Sequence, residues 1–179
     1  LLIFVGPHSM PSPIEKFFES IWGYIPIKAG VAYEQLSAVV LHILNSGTVQ
    51  HDARLRGEFS KTLYQIDALQ ESCGNTLMAE AKDYSVRGEK VGRGDLQKLG
   101  GALPDLPGVD SGVFFSATGY TLPAKKYASA ASDIAGKTIE LIELRPTIAA
   151  DENGFIQTIV LNLHIAVPLP DKATWTPVF

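Results

Sequence analysis

The spacing of apolar residues divides the chain into helical and extended stretches. Over residues 14–22 (IEKFFESIW) it predicts a short amphipathic helix whose Phe17, Phe18 and Trp22 pack onto the main core. From Val31 to Leu44 apolar residues recur at Tyr33, Leu36, Val39, Val40, Ile43 and Leu44, which is helical spacing with a wide buried stripe. Asn45-Ser46-Gly47 stops that helix. The pattern then turns extended. Val49–Leu55, Leu63–Leu69 and Leu77–Tyr84, separated by Gly57 and by Ser72-Cys73-Gly74-Asn75, read as a three-stranded meander. Val91 to Asp95 leads into a short helix with Leu96, Leu99 and Leu103 inward. Ser111–Thr118 follows as a buried strand, Leu122–Ala135 as an Ala-rich helix and Thr138–Leu144 as a further strand. Antiparallel pairs come first and crossover helices later. The expected fold is therefore α/β, a mixed sheet with helices on both faces.

The two ends read differently. LLIFVGPHSM, residues 1–10, has the look of a tag remnant joined at Met10, too short and unflanked for a signal peptide or a membrane span. After Arg145-Pro146 the turn Asp151–Gly154 and the run Phe155–Leu169 resemble the first hairpin of a further domain. Composition adds little but exclusion. With 46% hydrophobic and 19% charged residues the chain is globular, and no stretch suits a bilayer, so a soluble cytoplasmic protein is expected. One cysteine excludes a disulfide framework and any Cys-rich zinc module. The net charge of −4 removes the simplest argument for nucleic-acid binding, a basic surplus.

Most enzyme signatures are absent. There is no Gly-x-Ser-x-Gly, His-Glu-x-x-His or Walker loop, and Gly92-x-Gly94 lacks the strand and third glycine of a dinucleotide fingerprint. His42, His51 and His164 are too scattered for a metal cluster; Cys73 reads as a bland turn thiol and Arg93-Gly94-Asp95 as a helix start. What remains is Leu77-Met78-Ala79-Glu80-Ala81-Lys82, where a period of two puts Glu80 and Lys82 on one strand face. Ala79 and Ala81 leave the other face flat enough for a helix. Charges in such a strand are costly unless paired or metal-bound. Pairing through the turn at 71–75 brings Asp67, another acid among apolar residues, beside Glu80. Two carboxylates so close repel unless a hard cation neutralises them, and Mg²⁺ favours one or two carboxylates plus waters and phosphate oxygens. Glu34, just off the stripe of the long first helix, is placed to reach that cation directly or through water. Lys90, Arg93, Gln97 and Lys98 surround a helix N-terminus suited to a backbone phosphate. Equally, a strand alternating Glu and Lys can be a plain solvated face.

With these residues placed, the chain resembles the Mrr-type branch of the PD-(D/E)xK nuclease superfamily over residues 30–145. The carrying stretches are Tyr33-Glu34, Gln65-Ile66-Asp67, Glu80 to Tyr84, Val91 to Gly101 and Phe115 to Ala124, with Tyr127-Ala128 after them. The resemblance implies a restriction-endonuclease-like mixed sheet in αβββαβαβ order. It implies Asp67, Glu80 and the Ala81 backbone carbonyl as metal ligands, Lys82 as the catalytic lysine and Glu34 as an accessory acid. Gln97, or Lys98 beside it, would be a substrate contact. Ile66 stands where the superfamily has its proline, and Glu80 where Mrr-type proteins often have Gln, which brings the site nearer the standard nuclease.

The expected division is a remnant at 1–10, a helix and loop at 11–30, a nuclease domain at 31–146, and a β-rich extension or further domain at 147–179. The implied activity is Mg²⁺-dependent hydrolysis of DNA phosphodiesters, with Mn²⁺ substituting, in type IV-like restriction or another anti-phage role. Double-strand cutting suggests a homodimer or higher assembly, joined by a recognition or sensor domain. A non-catalytic module of the same fold, binding DNA ends, a nucleotide or a protein, is the alternative, and RNA is an equally open substrate. Glu34, Asp67 and Glu80 are three of the 19 acids, and the rest nearly balance the 15 bases. The negative charge is thus concentrated in the expected metal site, and DNA should be held weakly without metal.

Overall fold

Ser12 caps the first helix, α1 (Pro13–Trp22): its hydroxyl accepts from the Glu15 amide, and Glu15 accepts from the Ser12 amide. Phe17 and Phe18 are buried, whereas Trp22 stacks on Phe18 at 4.3 Å between centroids yet stays 41% exposed. Gly23, in left-handed geometry with φ 76°, ends the helix. The computed structural model describes residues 11–45, 47–150 and 156–166. The expected remnant at 1–10 and the turn at Asp151–Gly154 lie outside them.

The second helix, α2 (Val31–Asn45), buries Tyr33, Leu36, Val40 and Leu41. Val39, Ile43 and Leu44, expected in its stripe, face outward. A helix laid on a sheet buries only one side of its cylinder, and Ala32, Ser37 and Ala38 fill that side instead. Next come β1 (Thr48–Arg56), β2 (Leu63–Ser72) and β3 (Asn75–Lys82), an antiparallel meander. Helix α3 (Arg93–Ala102) runs into a short 3₁₀ turn and then β4 (Ser111–Ser116), parallel to β3. The single helix expected over Leu122–Ala135 is two, α4 (Leu122–Ser129) and α5 (Ala131–Ala135). They are divided at Ala130, whose φ −99°, ψ 3° leave the helical well. Strand β5 (Ile139–Ala150) lies parallel to β4, and β6 (Ile156–Ala166) returns antiparallel along it. One sheet of six strands in sequential order results. It does not break at Arg145-Pro146: β5 runs through that point, and β6 is its sixth strand.

Two apolar layers sandwich the sheet. One face carries α1 and α2, through Phe17, Tyr33, Leu36 and Leu41, against Ala68, Ala79, Ala81, Val113, Phe115 and Ile142. The small residues of β2 and β3 let α2 approach closely, and Gln70, fully buried, fixes it by donating to the Leu41 carbonyl at 3.2 Å. The opposite face carries α3, α4 and α5, through Leu96, Leu99, Ala124, Ala128 and Ala131, against Ile66, Met78, Phe114 and Leu141. Ile66 and Ala68 thus lie in opposite layers although they are two apart in one strand. The regular alternation fails at Asp67, opposite Asp52, whose φ of 52° is left-handed.

Candidate functional site

The irregular point at Asp67 coincides with the end of the β2–β3 ladder. The last pair is Ala68↔Ala79; beyond it the Ala81 amide donates to Asp67 Oδ2 at 2.9 Å instead of to a strand carbonyl. A backbone donor is thereby satisfied while the strands part, and the Asp67 carboxylate is fixed against β3. Glu80 and Lys82 share one face, as period two requires, and the Lys82 ammonium donates to Glu80 Oε1. From the other layer, Tyr33 anchors the start of α2 by donating to the Leu144 carbonyl at 3.2 Å. This presents Glu34, only 13% exposed at its side chain, to the same corner.

Electrostatics tie these groups into one cluster. Burial lifts the Asp67 carboxyl above its ordinary range against the Ala81 hydrogen bond, and the nearby Glu34 charge lifts it further. Burial and the Asp67 charge raise Glu80 in the same way. At Lys82, burial works against the charged form, but the Glu80 carboxylate and its hydrogen bond, with Asp67, more than offset it and raise the ammonium's pKa. The site is therefore two crowded carboxylates partly neutralised by one lysine that holds its proton.

Three neighbours were missed in the sequence. His51 on β1 places Nε2 3.4 Å from Glu34 Oε2. Asp95, in the first turn of α3, accepts from the Gly92 amide and from the Tyr84 hydroxyl, and its charge reaches Glu80. Lys28, from the loop before α2, acts on Asp67 with the opposite sign. Only His51 had a sequence signal, its place in the strand next to Asp67. The other expected substrate contacts are less gathered. Lys90, Arg93, Gln97 and Lys98 are all exposed, and among the described hydrogen bonds and ion pairs none joins them to the acids. His42 bonds the Gly47 carbonyl, away from the cluster, and Cys73 is an exposed turn residue.

Hard oxygen donors on Asp67 and Glu80 suit a divalent cation that keeps much of its shell as water or substrate oxygen. Among the described residues no group of three His, Cys, Asp or Glu side chains is assembled to enclose a metal. A cation here would accordingly be bound by two carboxylates at most, completed by backbone, water or phosphate. The donor chemistry fits Mg²⁺ and does not fit a histidine or thiolate metal.

No curated protein matches the chain. Among solved structures, AF1548, a protein of unknown function, superposes with a TM-score of 0.50 at 20% identity, over 60% of this chain and 56% of that one. SfsA of Pyrococcus furiosus, solved in complex with Ca²⁺, gives a TM-score of 0.37 at 20% identity, over 74% of this chain and 60% of its own. The chain thus spans less than two thirds of either. The first of these likenesses speaks to fold alone. Residues 33–145, well over half of the chain, match the restriction endonuclease family Mrr_cat.

Proposed function

The chain belongs to the Mrr-type restriction endonuclease family, and we propose that it is a Mg²⁺-dependent DNA endonuclease serving restriction or anti-phage defence. The observation that carries this reading is the meeting of Asp67, Glu80 and Lys82 where β2 and β3 part. Asp67 and Glu80 would hold the ion, with the Ala81 carbonyl beside them and Glu34 reaching it through water; Mn²⁺ would substitute. A bound divalent cation supplies screening of charge at phosphorus and a lowered pKa for bound water. The chain's own residues supply the rest. The Ala81 amide orients Asp67 through its 2.9 Å bond. Glu80 is oriented by the Lys82 ammonium. With its pKa raised, Lys82 stays protonated at neutral pH and stabilises charge on a phosphate oxygen rather than removing a proton. Glu34 is steadied by His51.

Lys90, Arg93, Gln97 and Lys98 would meet the DNA backbone from α3 and the segment before it. Residues 31–146 would be the nuclease unit, acting in the cytoplasm as a homodimer for double-strand cutting, with a recognition domain supplying specificity. Incubating supercoiled plasmid with the full chain in Mg²⁺ tests the reading. Nicked or linear product that chelation with EDTA abolishes is expected. Plasmid left intact in both Mg²⁺ and Mn²⁺, while still bound, would instead favour a non-catalytic DNA-binding module.

A further inference from the structure

We propose that the open groove between α3, α4 and α5 binds an unpaired nucleotide of a single-stranded DNA segment. The groove holds about 310 Å³ and is lined by Arg93, Lys126 and Tyr127 together with Leu122, Pro123 and Ile134. That volume sits at the small end of ligand sites, ~300–1,000 Å³. Its chemistry is one-sided: two cations, one aromatic ring and an apolar wall, and among the described residues no carboxylate lines it. The Arg93 guanidinium lies over the Tyr127 ring, 5.9 Å from the centroid. Such a pair presents a flat cationic surface on which a base stacks, while the charges of Arg93 and Lys126 take the adjoining phosphates.

Two features place the groove in use with the site already described. Arg93 opens α3, and Asp95 in the same turn touches Tyr84 and is felt at Glu80. Arg93 of the groove thus shares a helical turn with a residue whose charge reaches the acid cluster. Tyr127, for its part, is held from behind. Its hydroxyl sits where a Cβ at Gly100 would stand, so the glycine of α3 leaves room for the ring. Leu122 and Ile134 are 65% and 59% exposed, which leaves the apolar wall accessible. Duplex DNA hides its base faces in the stack and offers such a surface only phosphates. An unpaired nucleotide offers both.

The inference rests on the nuclease reading for the choice of polymer, and the experiment separates the two. Binding of fluorescein-labelled oligothymidylate and of a duplex of equal length to the full chain is measured by anisotropy in EDTA, where no cutting intervenes. Plasmid cleavage in Mg²⁺ is scored separately. The single strand should bind more tightly than the duplex. Ile134→Glu, and Arg93→Ala with Lys126→Ala, should weaken oligothymidylate by about tenfold or more. The charge variant should also flatten the salt dependence by about 0.7 in the log–log slope for each phosphate it no longer neutralises. Both substitutions lie on exposed positions, so the fold should survive them; a thermal melt confirms it. Weakening by Ile134→Glu confined to the single strand, with no plasmid cleavage by the parent chain, would uphold the groove and refute the hydrolytic reading. Single-strand binding unchanged in both variants, or weakened by Ile134→Glu no more than duplex binding is, would overturn the groove whatever the cleavage result. So would a change in Ile134→Glu of sedimentation alone, since that marks a protein interface.

Discussion

Asp67 acts on the fold in two opposite senses. It satisfies the Ala81 amide, yet burial first, at only 9% exposure, and then the nearby Glu34 charge disfavour its ionised form. A carboxyl whose pKa is raised by folding contributes stability below its ordinary value of 3.8 and loses it as pH rises through the raised value. At neutral pH the charge on Asp67 is therefore a cost to the fold. Asp67→Asn keeps an acceptor for Ala81 and removes the charge. It should raise the melting temperature, by about 2–4 °C for each kcal/mol relieved in a chain of this size, while ending any metal-dependent cleavage; a lower melting temperature would show that the charge is not strained. Asp105 is the opposite case. The Ser60 hydroxyl first, then the Ser60 and Phe59 amides and the Tyr64 hydroxyl, donate to it and hold its carboxyl down at about 2 from 3.8. Its contribution is full above the unfolded value and lost as pH falls through the folded one. Urea midpoints of the parent should drop from about pH 5 to about pH 2.5, and those of Asp105→Asn should start lower and drop less. Parallel curves would contradict this. At this scale the sequence was legible where chemistry is local: Glu80, Ala81 and Lys82 follow from a period of two and Asp67 from an acid among apolar neighbours. Asp95 and Lys28 were not, because their places depend on how a helix or loop sits over the sheet, and His51, whose strand was legible, was missed because its partner Glu34 comes from a helix packed over that sheet.

Elements were legible where one strong signal governed them. The meander, α3 and β4 fall where turn residues and buried leucines place them. The signal weakened where apolar residues stand on more than one side, as in α2, whose Val39 and Ile43 look like core and are not. It weakened again in the Ala-rich stretch, where no residue marks the break at Ala130. An unforeseen element-level device is Lys137, which begins the approach to β5. Its ammonium donates to the carbonyls of Leu103, Leu106 and Val109 at 2.8, 3.3 and 2.5 Å, tying the 3₁₀ turn and the loop after it to the sheet. Leu103 opens the 3₁₀ turn and its carbonyl also accepts from the Leu106 amide, whereas Leu106 and Val109 lie in the loop beyond it. Lys137→Met should cost about 1.5–3 kcal/mol in urea unfolding, the range for hydrogen bonds to a charged group, without changing any cleavage rate. An unaltered midpoint would mean that water replaces the ammonium freely.

For the whole molecule, the α/β class, the helices on both faces and the family were all legible, since order and motif agree over residues 33–145. The extent of the sheet was not. The stretch after Arg145-Pro146 reads as the first hairpin of a further domain, yet β5 carries Pro146 and pairs it with Leu161 on β6. No helix among the described residues is long and apolar enough to cross a membrane. Under the proposed function, a corner holding Glu34, Asp67 and Glu80 with cations along α3 and α4 would let a chain of net charge −4 meet a polyanion. That explanation stands or falls with the corner itself. The measurement that bears on it most directly is the rate of Mg²⁺-dependent plasmid cleavage by Lys82→Ala against the parent chain, with melting temperature taken on the same preparations. Cleavage reduced by at least about a hundredfold, as for loss of an electrostatic stabiliser of the transition state, with the fold intact, is the predicted result. Equal rates in the two proteins would contradict it.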